Sequence, residues 1–210
     1  MDYSVSDAKH DLTNSIIFAE NSWVTSGGYA DIHRGWYNGQ TVAVKVIREA
    51  RVSNRKISTN LERERRLWSS MHHENIIPFL GICFYPGDNR IQGDLIFSLV
   101  SPWMENGTIH DFLKRERTSN RIDLLRGVLT GLTYLHSQNI IHGDLKGGNI
   151  LVSNEGNAML ADFGLAQMVA TDPTLTYMMS TSSTLTNLGG TVNWMAPELF
   201  EEMESIPKLT

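Results

Sequence analysis

Residues 141–152 read I-H-G-D-L-K-G-G-N-I-L-V, and residues 158–164 read A-M-L-A-D-F-G. The apolar runs Ile150–Val152 and Met159–Ala161 have the length and composition of two short buried strands. Gly156, between Asn154 and Asn157, supplies the turn chemistry for a hairpin. Asp144, Lys146, Asn149 and Asp162 sit at the ends of that hairpin. As core residues they would be costly to bury. They make sense as a site for a hard cation and a polyanion, because Mg²⁺ takes carboxylate oxygens, water and substrate phosphates.

Upstream of this stretch, two charges stand in odd places. Residues 40–47, Q-T-V-A-V-K-V-I, form a β-branched strand pattern with Lys45 inside it. Residues 54–71 read as a helix on which Ile57, Leu61, Glu64, Trp68 and Met71 share one face. Glu64 is then a carboxylate within an apolar stripe, expensive unless a cation meets it. Pairing Lys45 with Glu64 resolves both anomalies. The alternatives are a Glu64 that faces solvent on a frayed helix, and Glu62 as partner, although Glu62 lies off the stripe.

The remaining pattern outlines two lobes. Trp23–Gly39 reads as two strands closed by the turn signal Asn38-Gly39. Ile76–Tyr85 and Asp94–Ser101 read as two further strands, joined through Pro86-Gly87-Asp88. Pro102 cannot donate a ladder hydrogen bond, so Ser101–Met104 reads as a connector. Helices are expected over Thr108–Arg117 and Asn120–His136, the second with Ile122, Leu125, Leu129, Leu132 and Leu135 on one face. Gln167–Gly190 is rich in hydroxyl groups and poor in core formers, a loop that is functional or disordered. Leu12, Ile16, Ile17 and Phe18 can dock as a lead-in strand, with no order expected before Asp11.

Composition bounds the function. The chain has 210 residues, 41% hydrophobic and 20% charged, as befits one globular domain or two small lobes. A net charge of −5 argues against a general nucleic-acid binder. Seven Lys/Arg against three Glu between Arg48 and Arg66 read as a solvated helix face, since no aromatic residues are interleaved for base stacking. The single cysteine, Cys83, excludes an intramolecular disulfide and reads as a buried thiol. His72-His73 is not read as a metal site, and His73 with Asn75 is expected to cap the turn after the helix. No apolar stretch is long enough for a membrane span, and the N-terminus lacks the pattern of a signal peptide. The expected location is cytoplasmic, with no membrane or nucleic-acid partner.

The order D-L-K-x-x-N-I-L-V, then D-F-G, then A-P-E at 196–198, resembles the protein kinase catalytic domain. The resemblance covers Trp23–Thr210. It implies an α+β, two-lobe fold: a five-stranded antiparallel N-lobe with one helix, and an incomplete, mostly helical C-lobe. The implied divisions are a partly disordered lead-in 1–22, an N-lobe 23–101, a hinge 102–104 and a C-lobe 105–210 with an activation segment 162–198. It further implies ATP and Mg²⁺ as cofactors and a protein substrate with a Ser/Thr hydroxyl.

By resemblance, Asp144 orients the acceptor hydroxyl, Lys146 reaches the transferring phosphate, and Asn149 and Asp162 hold Mg²⁺. Lys45 holds the α- and β-phosphates, steadied by Glu64. Ile32, Ala43 and Leu151 would sandwich adenine. Ser101 would guard the back of the pocket, with Trp103 and Met104 in the hinge. Trp68, Phe163 and His142 would stack through the core. Thr191 would help form the shelf for the acceptor.

Three departures qualify the resemblance. The Gly-rich loop keeps Gly27, with Gly28 beside it, but has Thr25 and Ala30 at the outer glycine positions. Gly143 replaces the arginine that normally precedes the catalytic aspartate, which implies activation without a phosphate docked there. Kinase domains also continue past A-P-E, so an incomplete domain is expected. The catalytic loop resembles Ser/Thr kinases, while residues 103–107 and 190–198 resemble the tyrosine-kinase-like group. A Ser/Thr kinase of that group is the first reading. A pseudokinase-like binding module, or an inactive fragment, is the alternative.

Overall fold

The computed structural model describes residues 10–27, 30–51, 59–86, 95–168 and 192–194. Its N-terminal part is a five-stranded antiparallel sheet in the order β1-β2-β3-β5-β4. The strands are β1 Ile17–Ser26, β2 Ala30–Tyr37, β3 Gln40–Arg51, β4 Gly81–Pro86 and β5 Leu95–Pro102. Asn38 and Gly39 both take positive φ (49° and 75°) and close the β2–β3 hairpin, with Tyr37 opposite Gln40. Along β3, Val42, Val44 and Val46 are buried while Ala43 and Lys45 lie on the other face. β5 is buried from Ile96 to Ser101, as a strand covered on both sides must be.

The helix packed with this sheet, α1, spans Thr59–Ser69. Its buried side carries Leu61, Glu64, Leu67 and Trp68, with Met71 following. Ile57 and the start of the expected helix lie outside the described residues. The turn that follows is capped as the sequence suggests: Asn75 N–H donates to His73 Nδ1 at 3.0 Å.

Two boundaries differ from the sequence pattern. β1 begins at Ile17, upstream of Trp23, so Ile17 and Phe18 join this strand, in keeping with the lead-in pattern. Leu12 and Ile16 are buried, because their apolar side chains find cover against the sheet. The strand expected from Ile76 begins only at Gly81. Pro78 interrupts ladder bonding. Ile77 N–H instead donates to Leu160 O, and Leu160 N–H to Asn75 O, so this piece ties the sheet to the second lobe.

The second lobe holds α2 Ile109–Arg115 and α3 Arg121–Ser137, then β6 Ile140–Ile141, β7 Ile150–Val152, β8 Ala158–Leu160 and β9 Gln167–Met168. Thr108 and Asn120 cap the two helices through their side-chain oxygens. β7 pairs with β8 and β6 with β9.

The expected core face of α3 is corrected. Of the residues expected there, Leu135 is buried, but Ile122, Leu125 and Leu129 are exposed, and Leu124, Val128 and Gly131 are buried in their place. Close approach decides this. A Cβ on Gly131 would lie 2.9 Å from Asn75 O, so the helix meets Asn75 and β8 on its glycine side. No helix among the described residues is long and apolar enough to cross a membrane. Residues 169–191 and 195–210, including Thr191 and the A-P-E motif at 196–198, lie outside the described residues.

Candidate active site

Lys45 stands on the face of β3 away from the valine-packed core. Its Nζ lies 2.8 Å from Glu64 Oε1 and 2.7 Å from Asp162 Oδ1. Glu64 is only 6% exposed, Lys45 18% and Asp162 45%. Burial opposes the charge on Lys45, but the Asp162 and Glu64 carboxylates outweigh it and raise its pKa. The Lys45 ammonium in turn holds the Asp162 carboxyl below the ordinary carboxylate range, against the opposing effect of burial. Glu62 is engaged elsewhere on α1, by Arg65 and Arg66 at 2.6 and 2.7 Å. The two charges that look anomalous in sequence therefore meet, and Asp162 joins them. Asp162 takes φ +65°, a left-handed backbone that Asp tolerates better than most residues.

The loop between β6 and β7 presents Asp144, Lys146 and Asn149. Asp144 Oδ2 accepts from Asn149 Nδ2 at 2.7 Å and pairs with Lys146 Nζ at 2.7 Å. Asn149 Nδ2 also donates to Asp144 O at 2.8 Å, which leaves its own carbonyl oxygen as an acceptor. Asp144 Oδ1 is buried and has no hydrogen-bond partner among the described residues. An acceptor held this way carries a desolvation cost that folding alone does not require.

His142 orients this loop. Its Nε2–H donates to Ala161 O at 3.1 Å, and Asp144 N–H donates to its Nδ1 at 3.3 Å. A carbonyl only accepts and an amide N–H only donates, so the proton sits on Nε2. Burial holds the ring's pKa below the ordinary 6.5. The unfolded chain then binds this proton more readily than the native one. The ring's contribution to stability is complete above the unfolded value and is lost as pH falls through the native value. The melting temperature should fall as pH drops below the ordinary 6.5 of the unfolded ring, and fall less in His142→Phe.

Gly143 has φ +78°, and a Cβ there would press on the Leu165 carbonyl. Its role in this chain is thus conformational as well as a lost arginine. Gly143→Ala should cost about 1–2 kcal/mol from the left-handed backbone alone, before the Leu165 contact is counted. Thermal unfolding measures it.

The residues assigned to nucleotide contacts line the adjoining sheet face and connector. Ile32 is opposite Lys45, and Ala43 is opposite Ser101, so these share a face of the sheet. Gly27 N–H donates to Ala30 O at 2.8 Å, and Ala30 is buried. Gly28 lies outside the described residues. Trp103 N–H donates to Thr41 O at 3.0 Å, which fixes the connector to β3. Met104 O accepts from Gly107 N–H at 3.0 Å, and Gly107 O from Val152 N–H at 3.0 Å, which brings β7 and Leu151 to the connector.

Two contributors escape the sequence pattern. Arg34, on the same face of β2 as Ile32, lies 4.2 Å over the Trp103 ring and 3.7 Å from Glu105. Phe79 extends the stack of Trp68, Phe163 and His142. Its ring centre is 5.3 Å from Trp68, which is 6.0 Å from Phe163, itself 5.3 Å from His142. Period-two alternation along β2 could have flagged Arg34. No sequence signal marks Phe79, because it sits in irregular chain.

No group of three or more His, Cys, Asp or Glu is arranged to hold a metal among the described residues. The donor set is instead a carboxylate and an amide, Asp162 and Asn149. That suits Mg²⁺, which completes its shell with water and phosphate oxygens. The ammonium groups of Lys45 and Lys146 suit a polyphosphate.

Comparison with known proteins gives one family. The protein kinase domain model matches residues 18–208. The serine/threonine-protein kinase STY46 of Arabidopsis thaliana is 30% identical over 182 residues, 85% of this chain and 28% of the relative. The mitogen-activated protein kinase kinase kinase dlk-1 of Caenorhabditis elegans is 30% identical over 187 residues, 88% of this chain and 17% of the relative. Calmodulin-binding receptor-like cytoplasmic kinase 3 of Arabidopsis thaliana is 32% identical over 190 residues, 86% of this chain and 34% of the relative. The chain thus spans between 17% and 34% of the length of these relatives. A family match over most of its length means that the chain belongs to the protein kinase domain family.

Proposed function

We propose that this chain binds ATP with Mg²⁺ and transfers the γ-phosphoryl group to Ser or Thr hydroxyls of protein substrates. The observation that carries the reading is Asp144 Oδ1, a buried acceptor without a partner among the described residues, next to a carboxylate oxygen already paired with Lys146 and Asn149. Such an atom would receive a hydrogen bond from an incoming hydroxyl and take its proton as the oxygen attacks. Lys146 stands beside it, where a transferring phosphate gains negative charge. Lys45, steadied by Glu64, offers a fixed cation to the non-transferred phosphates. Bound Mg²⁺, held by Asp162 and Asn149, would neutralise phosphate charge. Ile32, Ala43, Ser101, Trp103, Met104 and Leu151 would enclose the base.

A second reading rests on the β1–β2 turn, where Thr25 and Ala30 replace glycines. A stiffer turn favours a module that binds nucleotide and transfers nothing. The experiment supplies γ-labelled ATP and Mg²⁺ with matched peptides whose only acceptor is Ser, Thr or Tyr, and records melting with and without Mg-ATP. Label on the Ser and Thr peptides is the expected result. A thermal shift without label selects the second reading, and label on the Tyr peptide alone overturns the Ser/Thr assignment.

A further inference from the structure

The matched family region begins at residue 18. The residues before it are nevertheless built into the N-lobe. β4 is the outermost strand of the sheet, and one of its edges is unpaired within the sheet. The segment His10–Ile16 covers that edge. Asp11 bridges Ile82 in parallel, and Leu12 N–H donates to Ile82 O at 2.8 Å. One residue on, Phe84 N–H donates to Thr13 Oγ1 at 3.0 Å, and that hydroxyl donates to Asp11 Oδ1. A single helical turn then forms, with Ile16 N–H on Leu12 O, and buries Leu12 and Ile16.

Glycine makes room for it twice. A Cβ on Gly81 would press on the His10 carbonyl and stand 3.0 Å from Leu12 Cγ, and one on Gly35 would stand 2.8 Å from Ile16 Cγ2. The segment is therefore seated closely, with both backbone and side chains engaged.

Its first described residue reaches further. The His10 ring lies 6.4 Å from Phe79, centre to centre. Phe79 is the outer end of the ring column that runs through Trp68 and Phe163 to His142. Trp68 is on α1, one turn beyond Glu64, and its Nε1–H is fixed to Ile77 O at 2.7 Å. His142 accepts the Asp144 amide at the far end. One contiguous set of contacts thus joins a segment outside the matched family region to both halves of the site.

We infer that His10–Ile16 is a positioning clip: seated on the edge of β4, it closes the outer end of the Phe79–Trp68–Phe163–His142 column and holds α1 where Glu64 meets Lys45. The clip deepens the kinase reading and rests on it for its catalytic consequence. Its structural consequence stands apart. Packed rings transmit displacement because a dense interior has few alternative arrangements. Loosening the clip should therefore release α1 first and disturb the β7–β8 hairpin, which is tied to the column only through Leu160 and the far rings, less. An element that merely protected a strand edge would protect β4 alone.

The test uses the full chain with His10→Ala, Thr13→Val and Leu12→Ser. Amide exchange is followed in α1, β4 and the β7–β8 hairpin, and kcat and KM for ATP are measured in parallel. The expected result is exchange in α1 faster on the order of tenfold, the size of a modest coupling, with a smaller change in the hairpin. The matching kinetic result is a kcat lowered by a similar factor with a smaller change in KM. Acceleration confined to β4, or equal in both lobes, overturns the inference. Should Leu12→Ser fail to fold, Thr13→Val and His10→Ala remove only a hydroxyl or a ring and carry the same comparison. A parent chain that transfers no phosphate refutes the kinase reading, while the exchange pattern still decides the clip.

Discussion

Asp144→Asn should lower phosphate transfer by about 10²–10⁴-fold, the range a positioned general base contributes. The substitution keeps the shape of the side chain and removes its charge and basicity. In the native chain one oxygen of Asp144 is committed to Lys146 and Asn149, and the other is buried with no partner among the described residues. An amide in its place cannot accept a proton, and it must turn either its NH₂ or its oxygen toward Asn149 Nδ2. Lys146 is 27% exposed and can recover hydration, so the fold should survive. Single-turnover transfer measures the loss. Mg-ATP should still raise the melting temperature, because Lys45, Asp162 and the sheet face are untouched. Full activity in Asp144→Asn would remove the observation on which the proposed function rests.

Lys45→Met should be costly in a different way. It leaves Glu64, 6% exposed, and Asp162 close together with no cation between them. Removing one partner of a buried ion pair costs about 3–5 kcal/mol. Asp162 is 45% exposed and can turn to water, which places the expected loss near the lower end. For a chain of this size that corresponds to a fall of roughly 6–12 °C in melting temperature. The double variant Lys45→Met/Glu64→Leu should be more stable than the single one, because the uncompensated buried carboxylate is gone and an apolar side chain takes its place in the stripe of α1. Neither variant should transfer phosphate. The pair of results separates the structural role of the ion pair from its chemical one.

The part of the site that was legible in the sequence is the part whose geometry is local. Asp144, Lys146 and Asn149 are close in the chain, and the short hairpin between Asn149 and Asp162 returns the backbone to the same place. Lys45 and Glu64 are far apart in sequence, but each was conspicuous as a charge in an apolar pattern. Burial penalises both unless they meet. The strands of the N-terminal sheet followed from similar regularities, alternation in β2 and β3, an Asn-Gly turn and a proline at the connector, and the two-lobe fold class from the resemblance of the motifs to protein kinases.

What stayed hidden depends on which surfaces approach. Along α3 both the Ile122–Leu125–Leu129 stripe and the Leu124–Val128–Leu135 stripe are consistent with a helix. Only the closeness of Asn75 and β8 to Gly127 and Gly131 selects the second. Ile76–Leu80 has the composition of a strand, yet Ile77 spends its N–H on Leu160. Arg34 finds Trp103 and Glu105 because the connector folds back beside β2. The seating of His10–Ile16 on β4, and the ring column beneath it, needed the same three-dimensional information. By itself the sequence singled out the candidate reactive groups, because spacing and the cost of burying charge restrict where such groups can stand. The tertiary structure alone decided how those groups are held, because packing and hydrogen-bond partners are chosen between segments that sequence distance does not order.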